Sequence, residues 1–184
     1  MGVPRGSLVI LSGPSGVGKD TALAAWNAAD PRVTRVVACT TRKPRPGEVD
    51  GVDYHFVAVE EFLRLAEAGE FLEFKEVYGN HYATPLRHME AILVDGNVAV
   101  LKIDVQGAAE VMPKRPDAIP IFLLPPSDEE LERRIRGRGT EDEAATLRRL
   151  ATAREEIAFS AAYPHRIVNA DIEDTVRTLL EIVP

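Results

Sequence analysis

Short apolar runs alternate with helix-like patterns along most of this chain. Four runs of strand length are continuously aliphatic or β-branched: SLVILSG, VAVLKIDVQG, AIPIFLLPP and HRIVNA. Because they lack alternating polar positions, they predict strands buried on both faces, as in a parallel sheet. Helix-like patterns follow over residues 19–28, 107–112, 128–136 and 172–182. The alternation predicts an α/β fold, with a central parallel sheet covered by helices on both faces.

Two irregular pieces interrupt this rhythm. TRVVACTT, DYHFV and FLEFKEVY predict short strands around the helix EEFLRLAEAG, with a tight bend at Asn80-His81, which together indicate a small mixed-sheet insertion. Further on, a glycine-arginine turn leads into a long charged helix, and before it Ser127 is the predicted N-cap of a helix, with Glu130 completing a capping box. The predicted single domain has a core of about residues 1–32, 85–126 and 160–184, with appended pieces at about 33–84 and 127–159.

The bulk composition limits the class of protein. A length of 184 residues with 45% hydrophobic content predicts one domain with a substantial core. The net charge of −7 argues against a nucleic-acid or membrane-surface partner. Cys39 is the only cysteine, so no intrachain disulfide forms and a reducing cytoplasm is expected. No apolar stretch has the length of a membrane span, and no coiled-coil pattern or apolar interface indicates an oligomeric state.

The clearest chemical motif is GPSGVGKD, which follows the first predicted strand and opens a helix. It fits the phosphate-binding loop G-x-x-x-x-G-K, whose backbone N–H groups surround a β-phosphate while the lysine reaches the β- and γ-oxygens. A plain glycine-rich turn would not require that lysine. The predicted phosphate-contacting residues are Gly13, Pro14, Ser15, Gly16, Val17, Gly18, Lys19, Asp20 and Thr21.

Asp20 stands where this motif normally has Ser or Thr, whose hydroxyl binds Mg²⁺. A carboxylate is also a hard oxygen ligand and suits Mg²⁺. It adds negative charge beside the phosphates, which must be offset. Asp20 is therefore the candidate metal ligand, and Thr21 is not expected to substitute for the missing hydroxyl.

A second motif, TTRKPRPGEVDGVDYHFV, concentrates Arg42, Lys43 and Arg45 around two prolines. Proline restricts the backbone, so the arginines are held in place, and a guanidinium group is suited to bidentate phosphate binding. Taken alone, a solvated basic turn explains the segment equally well.

The chain resembles the guanylate kinase family over nearly its whole length. Seven segments carry the resemblance, in the family's order: GPSGVGKD, TTRKPRPGEVDGVDYHFV, FLEFKEVYGNHYATP, LKIDVQGA, LLPPS, RRIRGRG and IVNADI. The resemblance implies a phosphate-loop NTPase fold of three α/β/α layers, with a GMP-binding insertion and a helical lid. It also implies Mg²⁺-dependent transfer of the ATP γ-phosphate to GMP, giving ADP and GDP, with dGMP as a further candidate acceptor.

The same resemblance implies residue roles. The GMP phosphate would contact Arg42, Arg45, Tyr54 and Tyr82, and guanine would contact Glu73, Thr84 and Asp104. Guanine presents adjacent N1–H and N2–H₂ donors, and an ionised carboxylate such as Glu73 only accepts. Asn169 corresponds to an adenine-side contact. The residues that would act on the transferred phosphoryl group are Lys19, Arg45, Arg134, Arg138 and Arg149.

Three positions depart from the family pattern: Asp20, Lys102 where many members carry an acid, and Ala38 where a serine often contacts the GMP phosphate. One hypothesis is that Asp20 takes over metal ligation while Lys102 offsets its charge. The other is an Asp20–Lys102 ion pair that fills the metal position and weakens catalysis. Two other functions stay open as alternatives, a catalytically weak guanylate-kinase-like binding module and a ribose 1,5-bisphosphate phosphokinase.

Overall fold

The computed structural model describes residues 6–77, 79–137 and 143–183. The strands are β1 Leu8–Ser12, β2 Val33–Arg35, β3 Cys39–Thr40, β4 His55–Phe56, β5 Phe71–Val77, β6 Asn80–Pro85, β7 Val98–Lys102, β8 Ile119–Leu124 and β9 His165–Val168. The helices are α1 Lys19–Ala29, α2 Val59–Glu67, α3 Leu86–Val94, α4 Val105–Lys114, α5 Asp128–Arg136, α6 Glu143–Ala158 and α7 Ile172–Ile182. A short 3₁₀ turn, Phe159–Ala162, follows α6.

The main sheet has the strand order β2-β7-β1-β8-β9, and every pairing in it is parallel. This confirms the predicted parallel sheet. Along β1, Val9 and Leu11 pack toward α1 and α7, while Leu8 and Ile10 pack toward α3 and α4. The strand is buried on both faces, which explains its continuous apolar run. The sheet and its two helical layers form the predicted three-layer core.

The second sheet has the order β4-β3-β6-β5, with β3 and β4 parallel and the other pairs antiparallel. The predicted mixed-sheet insertion is therefore confirmed. Two details were wrong. The run TRVVACTT forms two strands, because β2 pairs with β7 in the main sheet and only β3 belongs to the second. Asn80 and His81 lie in β6, paired with Val77 and Glu76, and the turn falls instead at Gly79, whose φ is +74°.

Helices α5 and α6 pack against each other through a small apolar cluster of Leu131, Ile135, Leu150 and Ala153. The Ser127 hydroxyl accepts a hydrogen bond from the Glu130 N–H at 3.2 Å, so the predicted N-cap is confirmed. The capping box is not formed, because the Glu130 carboxylate accepts hydrogen bonds from Arg133 and Arg134 instead. This cluster ties the predicted lid together as a helical pair.

Candidate active site

The phosphate-loop motif connects the end of β1 to the start of α1, at the carboxyl edge of the parallel sheet. Gly16 and Gly18 have φ of +85° and +102°, in the left-handed region that glycine adopts without strain. A Cβ on Gly13 would lie 2.6 Å from the Leu123 carbonyl oxygen, so the loop also approaches β8 too closely for a side chain. These constraints explain the glycine spacing and leave the loop wrapped around the N-terminus of α1, where anions bind.

Several side chains brace this loop from within. The Lys19 ammonium donates to the carbonyl oxygens of Gly13 and Pro14, the latter at 3.1 Å. Asn169 donates from Nδ2 to the Val17 carbonyl at 2.8 Å, and its Oδ1 accepts from the Thr175 hydroxyl at 2.9 Å. Asn169 is buried. Its side chain therefore braces the phosphate loop, a structural role in addition to the adenine contact that the resemblance implies.

Helices α5 and α6, the predicted lid, each bring an arginine to the phosphate loop. Arg134 on α5 donates to the carbonyl oxygens of Val17, at 3.1 Å, and of Asn169, at 3.2 Å. Arg149 on α6 donates to the Ser15 hydroxyl at 2.7 Å. Two of the three predicted lid arginines thus contact the phosphate-loop region, while Arg138 lies outside the described residues. A cavity of about 400 Å³ opens beside Gly18, Thr21, Arg134 and Asn169.

Asp20, in the first turn of α1, forms an ion pair with Lys102 at the end of β7. The lysine side chain is 17% exposed and the aspartate 71% exposed. Desolvation opposes ionisation of Asp20, but the hydrogen bond and charge of Lys102, with Arg35 and Lys19, hold the pKa of Asp20 below its usual value. The two unusual residues that the sequence singled out are therefore direct partners.

A second cavity, of about 260 Å³, lies between the two sheets and is lined by Glu73, Thr84, Asp104 and Lys102, among others. Glu73 is buried, and its Oε1 accepts a hydrogen bond from the Thr84 hydroxyl at 2.6 Å. Burial raises the pKa of Glu73, and the Thr84 bond and the charge of Lys75 oppose that rise. Asp104 caps α4, accepting from the N–H groups of Gln106 and Gly107. The three predicted guanine-contacting residues therefore share one cavity.

Tyr54 and Tyr82 also line this cavity, and Arg42 lies against Tyr54. The Arg42 guanidinium lies 5.5 Å from the Tyr54 ring centroid, and the two tyrosine rings are 6.0 Å apart. Glu48 holds Arg42 through two hydrogen bonds of 3.0 and 2.8 Å and also accepts from the Arg45 backbone N–H. Arg45 itself is exposed on the loop. Ala38 lines the cavity, so no hydroxyl is contributed from that position.

Two charged residues of the site were not anticipated from the sequence. Lys75 lines the second cavity and forms an ion pair with Asp104. Glu156 accepts a hydrogen bond from the Ser15 backbone N–H at 3.2 Å. Sequence spacing could have revealed both. Lys75 is two residues from Glu73, on the same face of a strand, and Glu156 is seven residues from Arg149, on the same face of a helix.

Comparison with known proteins identifies the family of this chain. The family model for guanylate kinase matches residues 5–184. The guanylate kinase of Symbiobacterium thermophilum is 47% identical, covering 98% of this chain and 85% of the relative. That of Rubrobacter xylanophilus is 48% identical, over 97% of this chain and 94% of the relative.

Solved structures point the same way. Guanylate kinase from Anaplasma phagocytophilum aligns with a TM-score of 0.76 at 37% identity, covering all of this chain and 87% of that one. A shikimate kinase from Bacteroides thetaiotaomicron, with a TM-score of 0.50 and 18% identity over 96% of this chain and 97% of that one, shares the fold alone. With a family model matched over nearly its whole length and close relatives of one kind, this chain belongs to the guanylate kinase family.

Proposed function

We propose that this chain, a phosphotransferase with guanylate kinase function, transfers the γ-phosphate of ATP to GMP across the contact between its phosphate loop and its second cavity. The observation that carries the proposal is the position of Lys102, which lines the cavity and is also bonded to Asp20 at the start of α1. The acceptor cavity and the donor loop therefore adjoin. A GMP phosphate oxygen attacks the γ-phosphorus, the bond to the β–γ bridging oxygen breaks, and ADP leaves.

The acceptor nucleotide takes its orientation from the two ends of the cavity. Guanine lies at the buried end, where Glu73 and Asp104 accept from its N1–H and 2-amino group. Its phosphate lies at the end formed by Arg42, Tyr54 and Tyr82, with Arg45 closing from the loop. Adenine lacks the N1–H donor, so AMP would leave the Glu73 carboxylate without its partner, which is costly in a buried site.

The donor nucleotide occupies the phosphate loop and the cavity beside Thr21 and Asn169. Lys19 exchanges its loop carbonyl partners for the β- and γ-oxygens. Arg134 and Arg149, already at the loop, neutralise the charge that spreads over the phosphoryl oxygens during transfer, and Arg138 is proposed to join them. The lid contacts also exclude water, which would otherwise compete with GMP as acceptor.

The protein side chains at the phosphate loop fit a magnesium ion whose ligands come mainly from the nucleotide. Within residues 6–77, 79–137 and 143–183, no group of three or more His, Cys, Asp or Glu side chains is arranged to hold a metal. Mg²⁺ in kinases commonly uses one or two protein carboxylates together with substrate phosphates and waters. The exposed carboxylate of Asp20 at the loop is such a ligand, and its lysine partner balances the added charge. When bound, Mg²⁺ neutralises charge on the β- and γ-phosphate oxygens.

Substitutions at Asp20 and Lys102 distinguish the two hypotheses about this metal site. If Asp20 contributes a ligand and Lys102 offsets its charge, Asp20→Ser should lower kcat about tenfold or more, because a lone lysine then faces the metal position. Adding Lys102→Glu to Asp20→Ser gives the usual family arrangement of a hydroxyl and a nearby acid, and should recover activity. Binding of Mn²⁺ to the ATP complex, followed by electron paramagnetic resonance, should weaken and recover in parallel. Higher activity in Asp20→Ser alone would instead mean that the ion pair obstructs the metal.

The function itself is tested by ADP production from ATP and Mg²⁺ with GMP, dGMP, AMP or ribose 1,5-bisphosphate as acceptor. Fast turnover selective for GMP is expected. Tight GMP binding without turnover would favour the binding-module alternative, and preference for the sugar bisphosphate would overturn the guanine assignment.

ATP and GMP are the proposed small-molecule partners, with no nucleic-acid partner. None of the helices in the described part of the chain has both the length and the apolar content that crossing a membrane requires. A cytoplasmic location stays a prediction. It is supported by the presence of a single cysteine, Cys39, in a chain that therefore forms no intrachain disulfide.

A further inference from the structure

Lys75 lies on the cavity-facing side of β5, two residues from Glu73 and opposite Tyr82 on β6. Its ammonium group bonds Asp104 Oδ2, and its side chain is 21% exposed. The negative charges of Glu73, Glu110 and Glu156 also act on Lys75. A lysine thus stands between the two carboxylates that the proposed function assigns to guanine.

The hydrogen bonds of Asp104 show what this lysine does. Oδ1 accepts from the backbone N–H groups of Gln106, at 3.1 Å, and Gly107, at 2.9 Å. A carboxylate has about four lone-pair positions, two on each oxygen. Both positions of Oδ1 are therefore used by the helix cap. Oδ2 accepts from Lys75 at one position. Among the contacts in the described part of the chain, one acceptor position of Oδ2 is then left, and the other three contacts fix its direction.

We propose that Lys75 is a specificity-determining positioning residue, which fixes Asp104 so that its remaining acceptor position receives the 2-amino group of guanine. The inference rests on the proposed placement of guanine between Glu73 and Asp104. Lys75 acts through Asp104: the cap fixes one oxygen, and the lysine fixes the direction of the other and keeps the paired carboxylates charge-balanced. The nucleobase distinguished most directly is hypoxanthine, which differs from guanine by lacking the 2-amino group.

The test is steady-state kinetics of Lys75→Met with GMP and IMP as acceptors at saturating ATP. Methionine keeps an unbranched side chain of similar length without the charge. KM for GMP should rise about tenfold, the size of one charge-assisted hydrogen bond, while kcat stays within about twofold. KM for IMP should change little, so the preference for GMP over IMP should fall about tenfold. Lys75→Arg, which keeps the cation, should retain most of the preference.

The matched control is Lys114→Met. Lys114 donates to the Leu72 carbonyl at 2.9 Å, so it supports the same strand but does not bond Asp104. Its KM for GMP should stay near that of the unmodified protein. An equal rise in both variants, or a fall in kcat with KM unchanged, would overturn the inference, because either would show a general effect on the strand or on catalysis.

A double-mutant cycle with Asp104→Asn separates positioning from direct contact. Asparagine caps helices about as well as aspartate, so α4 should be retained. If Lys75 acts through Asp104, the double variant should be no worse than Asp104→Asn alone. Effects that multiply would overturn the positioning role. An Asp104→Asn variant with unchanged GMP selectivity would overturn the proposed guanine site itself, which is a different result from failure of Lys75→Met alone.

Discussion

Replacing Glu156 with glutamine should tighten the binding of ATP. Glu156 accepts a hydrogen bond of 3.2 Å from the Ser15 backbone N–H, one of the loop donors that the phosphate-binding motif directs at a nucleotide phosphate. Its carboxylate therefore occupies a position that a phosphate oxygen takes. ATP must displace Glu156 to use this donor, and the displaced carboxylate would then lie near a polyphosphate of the same charge.

The size of the effect follows from the exchange of one hydrogen bond. A hydrogen bond to a charged group contributes about 1.5–3 kcal/mol and a neutral one about 0.5–1.5 kcal/mol. Glutamine keeps the neutral bond, so ATP would compete against an interaction weaker by about 1 kcal/mol, which corresponds to about fivefold in affinity. Because the bond is long and the carboxylate partly exposed, the gain in ATP affinity could be as small as about threefold. Relief of the repulsion between the carboxylate and the polyphosphate raises the upper expectation to about tenfold.

Calorimetric titration with a non-hydrolysable ATP analogue and Mg²⁺, without GMP, measures this affinity directly. Glu155→Gln is the matched control, because Glu155 is the exposed neighbour on the same helix and loses the same charge. Its affinity should stay within about twofold, since screened surface charges act weakly. If Glu156→Gln bound the analogue more weakly than Glu155→Gln, the carboxylate would be a support for the loop rather than a competitor of phosphate, and the reasoning would be refuted.

Four further outcomes are expected. Glu73→Gln should lower kcat/KM for GMP about 100-fold at unchanged KM for ATP, because an amide donor then faces guanine donors. Since burial raises the pKa of Glu73, KM for GMP should also climb as the pH falls toward that raised pKa and protonates the carboxylate, and this contribution should be absent in Glu73→Gln. Trp26→Ala, at a fully buried position of the core, should cost about 3–5 kcal/mol in urea unfolding. Ser127→Ala removes the cap of α5 and should cost about 1 kcal/mol in the same assay, while Pro126→Ala nearby should cost less.

The core of the fold could be predicted from the sequence because its strands are buried on both faces. For such strands a continuous apolar run is both the signal and the physical requirement, and the predicted limits of α5 and α7 coincide with the structure. The run TRVVACTT carried no comparable information. It is β-favouring throughout, but Val36 donates to the Val100 carbonyl in the main sheet, whereas Cys39 pairs with Ala83 in the second. Which sheet a strand joins depends on distant partners, and local pattern does not encode them.

In the candidate site, too, local motifs could be predicted from the sequence and contacts between distant residues could not. The resemblance brought together the proposed guanine-contacting residues, which line one cavity, and most of the proposed phosphate-contacting ones, because each lies in a contiguous motif. The partners of those residues were harder to predict, since Lys75 meets Asp104 across 29 positions and Glu156 meets Ser15 across 141. Only the Asp20–Lys102 pair was foreseen, because both of its members depart from the family pattern and have complementary charge.

Under the proposed function, these contacts also explain how a chain of net charge −7 would bind two nucleotide anions selectively. Arg42 is held by Glu48, the Ser15 N–H by Glu156, and Lys19 by loop carbonyls, so the proposed substrate binding would exchange existing partners for phosphate oxygens. Only the difference in free energy between the new phosphate contact and the partner it replaces appears as affinity. A free phosphate can replace one partner and gains little. A nucleotide that reaches the cations and the carboxylate end of one cavity together gains from every exchange, so the existing ion pairs convert a basic cluster into a site selective for whole nucleotides.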